Sequence, residues 1–269
     1  MRHPLLLSAA LIFASAPALA QHEGHMMPAD TAALKTAIAA PTRTPANTPR
    51  DQYRHPAETL AFFGVKPGAV VVEALPGGGW YTEILAPYLA KSGTLYLAQS
   101  EGKGRDRLTA KFAADTATYG KVKFSEFPMK GTAIPDGSAD VVLTFRNVHN
   151  LIMDKDTTVP DQAFAGFFRA LKPGGVLGVV DHRLPEDRDI ALEKSSGYLK
   201  RSTIVALAEK AGFKLAGETE INANPKDTAD WAKGVWTLPP TLANGDVDKA
   251  KYQAIGESDR MTLKFVKPK

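Results

Sequence analysis

An α/β fold with a mostly parallel sheet is predicted by three features of this sequence. Short apolar runs alternate with amphipathic segments along most of the chain. Several runs, AVVVEAL at 69–75 most clearly, are almost continuously apolar, which is how a strand covered on both faces reads. A glycine-rich turn, PGGG at 76–79, then leads from that run into a helix-like segment, WYTEILAPYLAKSG. Strand, glycine turn and helix in this order form the unit from which doubly wound sheets with helices on both faces are built.

The elements follow in order. MRHPLLLSAALIFASAPALA has a basic Arg2, an apolar stretch from Leu5 to Pro17 and a small-x-small end at Ala18-Leu19-Ala20. Residues 1–20 are therefore expected to be a signal peptide cut after Ala20, too short and one-flanked to anchor the chain in a membrane. The protein is expected to be exported, and periplasmic in a Gram-negative cell. Residues 21–50 are rich in Ala, Pro and Thr and read as a flexible arm, within which TAALKTAIAA could form one short helix. Residues 51–269 form the domain. HPAETLAFFGV is a helix with Pro56 in its first turn, Leu60 and Phe63 on one face and Gly64 at its end. Pro87 kinks or shortens the helix after the glycine turn.

TLYLAQS, VKFSEF, SADVVLTF and VLGVVDH are the next four strands. RDRLTAKFAADTATYG and DQAFAGFFRALKPGG are helices between them, the latter closing on a KPG turn. RSTIVALAEKAGF is an amphipathic helix with Ser202 as its candidate cap. KLAGETEIN and DRMTLKFVKP are late strands, separated by a long irregular segment at 225–258 with no crossover helix. The last strand is expected to pair antiparallel at an edge.

Composition narrows the functional classes. The 269 residues contain no cysteine, which excludes disulfides, thiolate catalysis and Cys-based metal sites. The net charge of +4 is spread over interspersed acids and bases, so neither a nucleic-acid partner nor stable membrane insertion is expected. His22, His25, Met26 and Met27 could ligate a soft metal such as copper, but a short tail without fixed geometry is the plainer reading, and no metal site is expected.

Three segments, HPAETLAFFGVKPGAVVVEALPGGGWYTEILAPYL, IPDGSADVVLTFRNVHNLI and RALKPGGVLGVVDHR, resemble in order and spacing a class I S-adenosylmethionine-dependent methyltransferase. More narrowly, they resemble exported methyltransferases that open on RHPAE…KPG…PGGG and close on DR…LKF…KP. Here those motifs are Arg54 to Glu58, Pro76 to Gly79, Asp259-Arg260 and Leu263 to Pro268. The resemblance covers about residues 52 to 268. It implies a Rossmann-like, seven-stranded sheet whose last strand is antiparallel, and S-adenosylmethionine as cofactor. It also implies that Glu73 and Gly77 to Gly79 meet the amino-acid part of that cofactor, and that the FRNVHN segment lies near cofactor and substrate. Such enzymes usually end the second strand on an acid that holds the ribose hydroxyls. Here that position is Gln99, with Glu101 as a substitute one small register change away.

Candidate cofactor residues are thus Glu73, Pro76, Gly77, Gly78, Gly79, Gln99 and Asn147. Glu73 and the glycines have a plainer role as well, the shaping of a tight turn. Candidate catalytic residues are His149, after the fourth strand, and Asp181 and His182, at the end of the fifth. Adjacent strands bring them to one crevice, where either histidine could be a general base and Asp181 its orienter. Capping and loop hydrogen bonding are the alternatives. Tyr53, Arg54 and His55 are a candidate lid, Trp80 and Tyr81 a candidate pocket border, and Asp154 and Asp156 a solvated loop. The expected function is methyl transfer to a small-molecule or envelope-protein substrate. The alternative is an exported, non-catalytic ligand-binding protein on the same fold.

Overall fold

The structure, a computed structural model, describes residues 28–128 and 133–269. The expected signal peptide and the His22–Met27 segment lie outside the described residues. The strands are β1 (Val70–Ala74), β2 (Thr94–Ala98), β3 (Lys123–Ser125), β4 (Ala139–Phe145), β5 (Leu171–Leu184), β6 (Leu199–Lys200), β7 (Lys214–Thr219) and β8 (Arg260–Val266). Seven of them form one sheet in the order β3-β2-β1-β4-β5-β8-β7, and the two-residue β6 pairs off that path with the end of β5. All pairings from β3 to β5 are parallel. β8 is antiparallel to both of its neighbours. The predicted α/β class and antiparallel last strand are thus present. The expected edge position is not, because β8 inserts between β5 and β7 and β7 takes the edge. β5 also starts earlier than expected, at Leu171, its register with β4 shifting between Ala139 and Val141 across the KPG segment.

Alternation along the central strands builds two cores. Val71, Leu97 and Leu143 point into one and Val72, Ala98 and Val142 into the other. The first core is covered by α1 (Pro28–Ile38), α3 (Pro56–Phe62), α4 (Thr82–Leu89) and α5 (Lys103–Ala114). The second is covered by α7 (Val148–Ile152), α8 (Val159–Ala170) and α9 (Arg201–Lys210). The single turns α2 (Asp51–Arg54) and α6 (Thr116–Tyr119) and the two-turn helix α10 (Lys249–Ile255), inside the segment expected to be irregular, are the remaining α-helices among the described residues. Pro87 lies inside α4, which stops two residues later, short of the expected length. α9 is not capped by Ser202. The carboxylate of Glu186 accepts from the Ser202 N–H at 2.9 Å and from its hydroxyl at 2.6 Å, so a neighbouring loop supplies the cap. Among the described residues no helix is long and apolar enough to cross a membrane.

From residue 28 onward the expected arm is packed against the domain. Leu34 and Ala37 are buried. Arg43 forms a two-pronged pair with Asp51 at 2.7 and 2.8 Å. The carboxylate of Glu83, fully buried on α4, accepts from the Thr44 N–H at 3.1 Å, the Thr44 hydroxyl, the Asn47 amide at 3.0 Å and Lys111. Composition suggested a linker, but these polar side chains find buried partners that fix their course. The irregular segment before β8 is held likewise by Asp227. Its carboxylate accepts from the Tyr198 hydroxyl, the Trp231 indole at 2.7 Å and the N–H groups of Ala229 and Asp259.

Candidate active site

The chain runs outward from β1 to β2 and β3 on one side, and from β4 onward on the other. The loops after β1 and β4 therefore part at the carboxyl ends of these strands, where ligands bind in such sheets. A cavity of about 280 Å³ opens there. Its walls are the loop Leu75 to Gly78, the β4 end from Phe145 to Asn147, His149, His182, the Val235–Trp236 and Pro239–Thr241 turns, and Arg50, Arg54, Arg146 and Arg260.

The three glycines of the loop serve different ends. A Cβ on Gly78 would meet nothing within 4 Å, and the same is true at Gly77, where φ is +60°. Both N–H groups are free of hydrogen-bond partners among the described residues. Gly79 does not line the cavity. Its φ is +81°, and a Cβ there would lie 3.1 Å from Leu108 Cδ2, so it serves helix packing. Asn147 braces the loop, its amide donating to the carbonyls of Ala74 (3.2 Å) and Leu75 (3.1 Å). Glu73 sits beneath the loop, 2% exposed, and accepts from the Thr82 hydroxyl at 2.6 Å. Burial pushes its carboxyl up to about 8 against the lowering effect of that bond. Glu73 therefore braces the turn and does not face the cavity. Gln99 follows β2, its N–H bonded to the Ser125 carbonyl and its side chain lying beside Gly104 outside the cavity lining. Glu101 is exposed and does not take its place.

His149, Asp181 and His182 do come together. Asp181 is fully buried at the end of β5. Its Oδ1 lies 2.7 Å from His149 Nδ1 and accepts the His182 N–H at 2.8 Å, while Oδ2 accepts the His149 N–H at 3.3 Å. A carboxylate cannot donate, so His149 carries a proton on Nδ1, and Nε2 is the nitrogen left for the cavity. His182 packs beside it, ring centroids 4.9 Å apart, with Nδ1 at 2.5 Å from the Ser258 hydroxyl. Burial first, and His149 second, hold His182 well below the ordinary imidazole range, so it is neutral. The ligand atoms of His149, Asp181 and His182 lie within 4.8 Å of one another, a spacing that could suit a cation. Three N–H groups already occupy the Asp181 oxygens, two of them from His149.

The other sequence candidates divide. Trp80 borders the cavity, its indole donating to the Asn47 carbonyl and its ring lying 4.6 Å from the Arg54 guanidinium. Tyr81 is core instead, stacked on Phe145 at 3.6 Å with its hydroxyl on the Arg54 carbonyl. Tyr53, Arg54 and His55 form no lid. Arg54 is 2% exposed, Tyr53 lies against Gly256, and His55 joins α2 to α3 with φ at +38°. Asp154 and Asp156 hold local turns on an exposed loop. Arg50, Arg146 and Glu257 were missed, and Arg260 was noted only within a motif. Arg54 and Arg260 stand in the quoted motifs, but no sequence spacing links residues more than two hundred positions apart.

Residues 72–179 match the methyltransferase domain family. The chain is 30% identical over 201 residues to the ubiquinone/menaquinone biosynthesis C-methyltransferase UbiE of Hydrogenovibrio crunogenus, covering 72% of this chain and 71% of that protein. The chain belongs to the class I S-adenosylmethionine-dependent methyltransferases. A second UbiE relative, from Ectopseudomonas mendocina, is 30% identical, but the match spans about half of each protein, 47%. Among solved structures, this methyltransferase resembles an S-adenosylmethionine-dependent methyltransferase from Aquifex aeolicus, with a TM-score of 0.56 and 16% identity over 88% of this chain and 98% of that one. It resembles the [4+2]-cyclase SpnF to a similar degree, with a TM-score of 0.57 and 15% identity over 88% and 92% of the two chains. These two likenesses concern the fold alone. The bare cradle at Gly77 and Gly78, with unclaimed N–H groups at the mouth of β1, fits the methyltransferase's cofactor, S-adenosylmethionine.

Proposed function

We propose that this methyltransferase acts after export, on a small-molecule or envelope-protein substrate, with His149 as general base and Asp181 as the residue that orients it. One observation carries the catalytic assignment: His149 Nδ1 is tied at 2.7 Å to a fully buried carboxylate, and His149 lines the same cavity as the glycine cradle. The export assignment is supported by Arg2, the apolar stretch to Pro17 and the Ala18-Leu19-Ala20 end.

Pro76, Gly77, Gly78 and Asn147 would hold the cofactor, with Glu73 and Gly79 shaping the loop from beneath and Gln99 flanking it from β2. When bound, S-adenosylmethionine supplies an electrophilic methyl group on a sulfonium sulfur. His149 Nε2 accepts the proton that the acceptor must lose, and the imidazolium so formed faces the Asp181 carboxylate. A positioned base of this kind contributes roughly 10²–10⁴-fold. His182, neutral and held by Ser258, packs against His149 and keeps a second positive charge out of its surroundings.

Calorimetric titration with S-adenosylmethionine and S-adenosylhomocysteine tests the reading. Micromolar binding, about −8 kcal/mol, is expected. A folded protein that ignores both at millimolar concentration would favour the non-catalytic, ligand-binding alternative. The mass of protein recovered from the periplasm should correspond to a chain starting at Gln21. Retention of residues 1–20 there would refute the cleavage.

A further inference from the structure

We propose that the cavity takes the methyl acceptor by a dianionic, phosphate-type group held among Arg50, Arg54, Arg146 and Arg260; this rests on the methyltransferase reading above. All four arginines line the cavity. Glu257 alone bonds to three of them, meeting Arg50 at 2.5 Å, Arg54 at 3.2 Å and Arg260 more closely still. The side chains of Arg54 and Arg260 are 2% exposed, so bulk water does not solvate them. Even so, Arg54 Nη1 and Nη2, Arg50 Nη2 and Arg260 Nε are buried with no hydrogen-bond partner among the described residues. Arg146 closes the group from the end of β4, where its φ is +59° and its backbone N–H bonds the Val180 carbonyl at 2.7 Å, while its side chain has no hydrogen-bond partner among the described residues. Buried guanidinium N–H groups are rarely left unpaired, and such a cluster marks a place where an acceptor of hydrogen bonds is expected.

Charge selects the kind of ligand. Four guanidinium groups face the carboxylate of Glu257 and, behind His149, that of Asp181. The cofactor does not relieve the excess, because its ammonium and sulfonium outweigh its one carboxylate. An acceptor bearing two negative charges does. The free donors approach from the α2 region, the β4 end and β8, that is, from separate directions. A tetrahedral group with several terminal oxygens satisfies such a set better than a planar carboxylate with two.

The test is calorimetric titration of the full chain with inorganic phosphate at constant ionic strength, with and without saturating S-adenosylhomocysteine, against acetate as the monoanionic control. Saturable binding of one phosphate per chain is expected. It should change less than about threefold when S-adenosylhomocysteine is present, and acetate should bind at least about tenfold more weakly. Arg146→Gln should weaken phosphate at least about tenfold with an unchanged melting curve, since the Arg146 side chain makes no hydrogen bond among the described residues. Failure of a folded chain to bind phosphate, equal binding of acetate, or an unaltered affinity in Arg146→Gln would each overturn the proposal. Mutual exclusion of phosphate and S-adenosylhomocysteine would also overturn it, assigning the arginines to the cofactor's own carboxylate. Phosphate binding without any binding of S-adenosylhomocysteine would instead sink the cofactor reading and leave an anion site of other purpose.

Discussion

Gly78 and Gly79 are adjacent and have the same side chain, yet valine at each should do opposite things. At Gly78 a Cβ enters open space in the cavity wall, and the backbone is not in the left-handed region. Valine there costs the fold little, because the lost chain entropy of glycine in the unfolded state offsets what strain arises, by about 0.4–1 kcal/mol. The branched side chain fills the cradle and bars the close backbone approach a cofactor needs. Loss of a hydrogen bond to a charged ligand group, about 1.5–3 kcal/mol, together with the steric block should weaken S-adenosylhomocysteine at least about 100-fold. At Gly79 the φ of +81° strains any β-branched residue by about 1–3 kcal/mol. The contact with Leu108 adds overpacking of about the same size. At about 2–4 °C per kcal/mol, Gly79→Val should melt roughly 5–15 °C lower. Calorimetric binding and thermal melts of both variants decide the matter. If Gly78→Val binds S-adenosylhomocysteine within threefold of the parent while folded, the cofactor does not lie on this loop and the site has been misassigned.

Asp181→Asn should destabilise the fold by about 1–3 kcal/mol, because its amide nitrogen must face an N–H group, and nitrogen NMR of the His149 ring should lose the single tautomer with a free Nε2; an unchanged ring spectrum would remove Asp181 as orienter. Glu73→Gln tests the carboxyl pushed up to about 8 by burial. The unfolded chain loses this proton near pH 4.5 and the folded chain keeps it, so stability falls by about 1.4 kcal/mol per pH unit between those values, and denaturation midpoints at pH 5 and 8.5 should converge in the variant. Glu257 runs the other way: burial raises it, but Arg260, Arg54 and Arg50 outweigh burial and bring it down to about 2. Its stabilisation is present above about pH 4.5 and is lost as pH falls toward 2, and Glu257→Gln should cost about 3–5 kcal/mol at pH 7 by leaving buried guanidinium groups uncompensated, as urea denaturation would measure. Gln99→Asp should tighten S-adenosylmethionine by roughly tenfold if the ribose reaches the end of β2, and an unchanged affinity would place the ribose elsewhere.

What was legible in the sequence has a physical pattern. β1, β2, β4 and β5 are covered on both faces, so each appears as an apolar run that hardly depends on its surroundings. The meeting of His149 with Asp181 and His182 follows from the adjacency of β4 and β5 alone. Other features depend on partners distant in sequence. Whether residues 28–50 pack was decided by Glu83, a carboxylate on another element, and not by their Ala, Pro and Thr content. Ser202 has the chemistry of a cap, but Glu186 outcompetes it from a neighbouring loop. Glu73 looked like a ligand contact, but the Thr82 hydroxyl, on the first residue of the next helix, claims it.

The same dependence explains why the cationic wall escaped sequence reading and what holds it in place. Arg50 and Arg54 come from the segment that the arm delivers to the domain, and Glu257 and Arg260 from the approach to the last strand. Glu257 joins them, bonding Arg50, Arg54 and Arg260 at once. The wall therefore exists only when both ends of the domain are folded against each other. Like charges gathered in this way are unfavourable unless geometry is imposed from outside, and the imposition comes from two anchors: Glu83, which clamps the arm onto α4, and Asp227, which ties Tyr198, Trp231 and the chain before β8. These two buried carboxylates do not line the cavity, yet they hold its arginines near one another. Part of the energy of folding is thus stored as uncompensated positive charge, and a bound dianion would release it, so ligand binding and the docking of the two chain ends should reinforce one another.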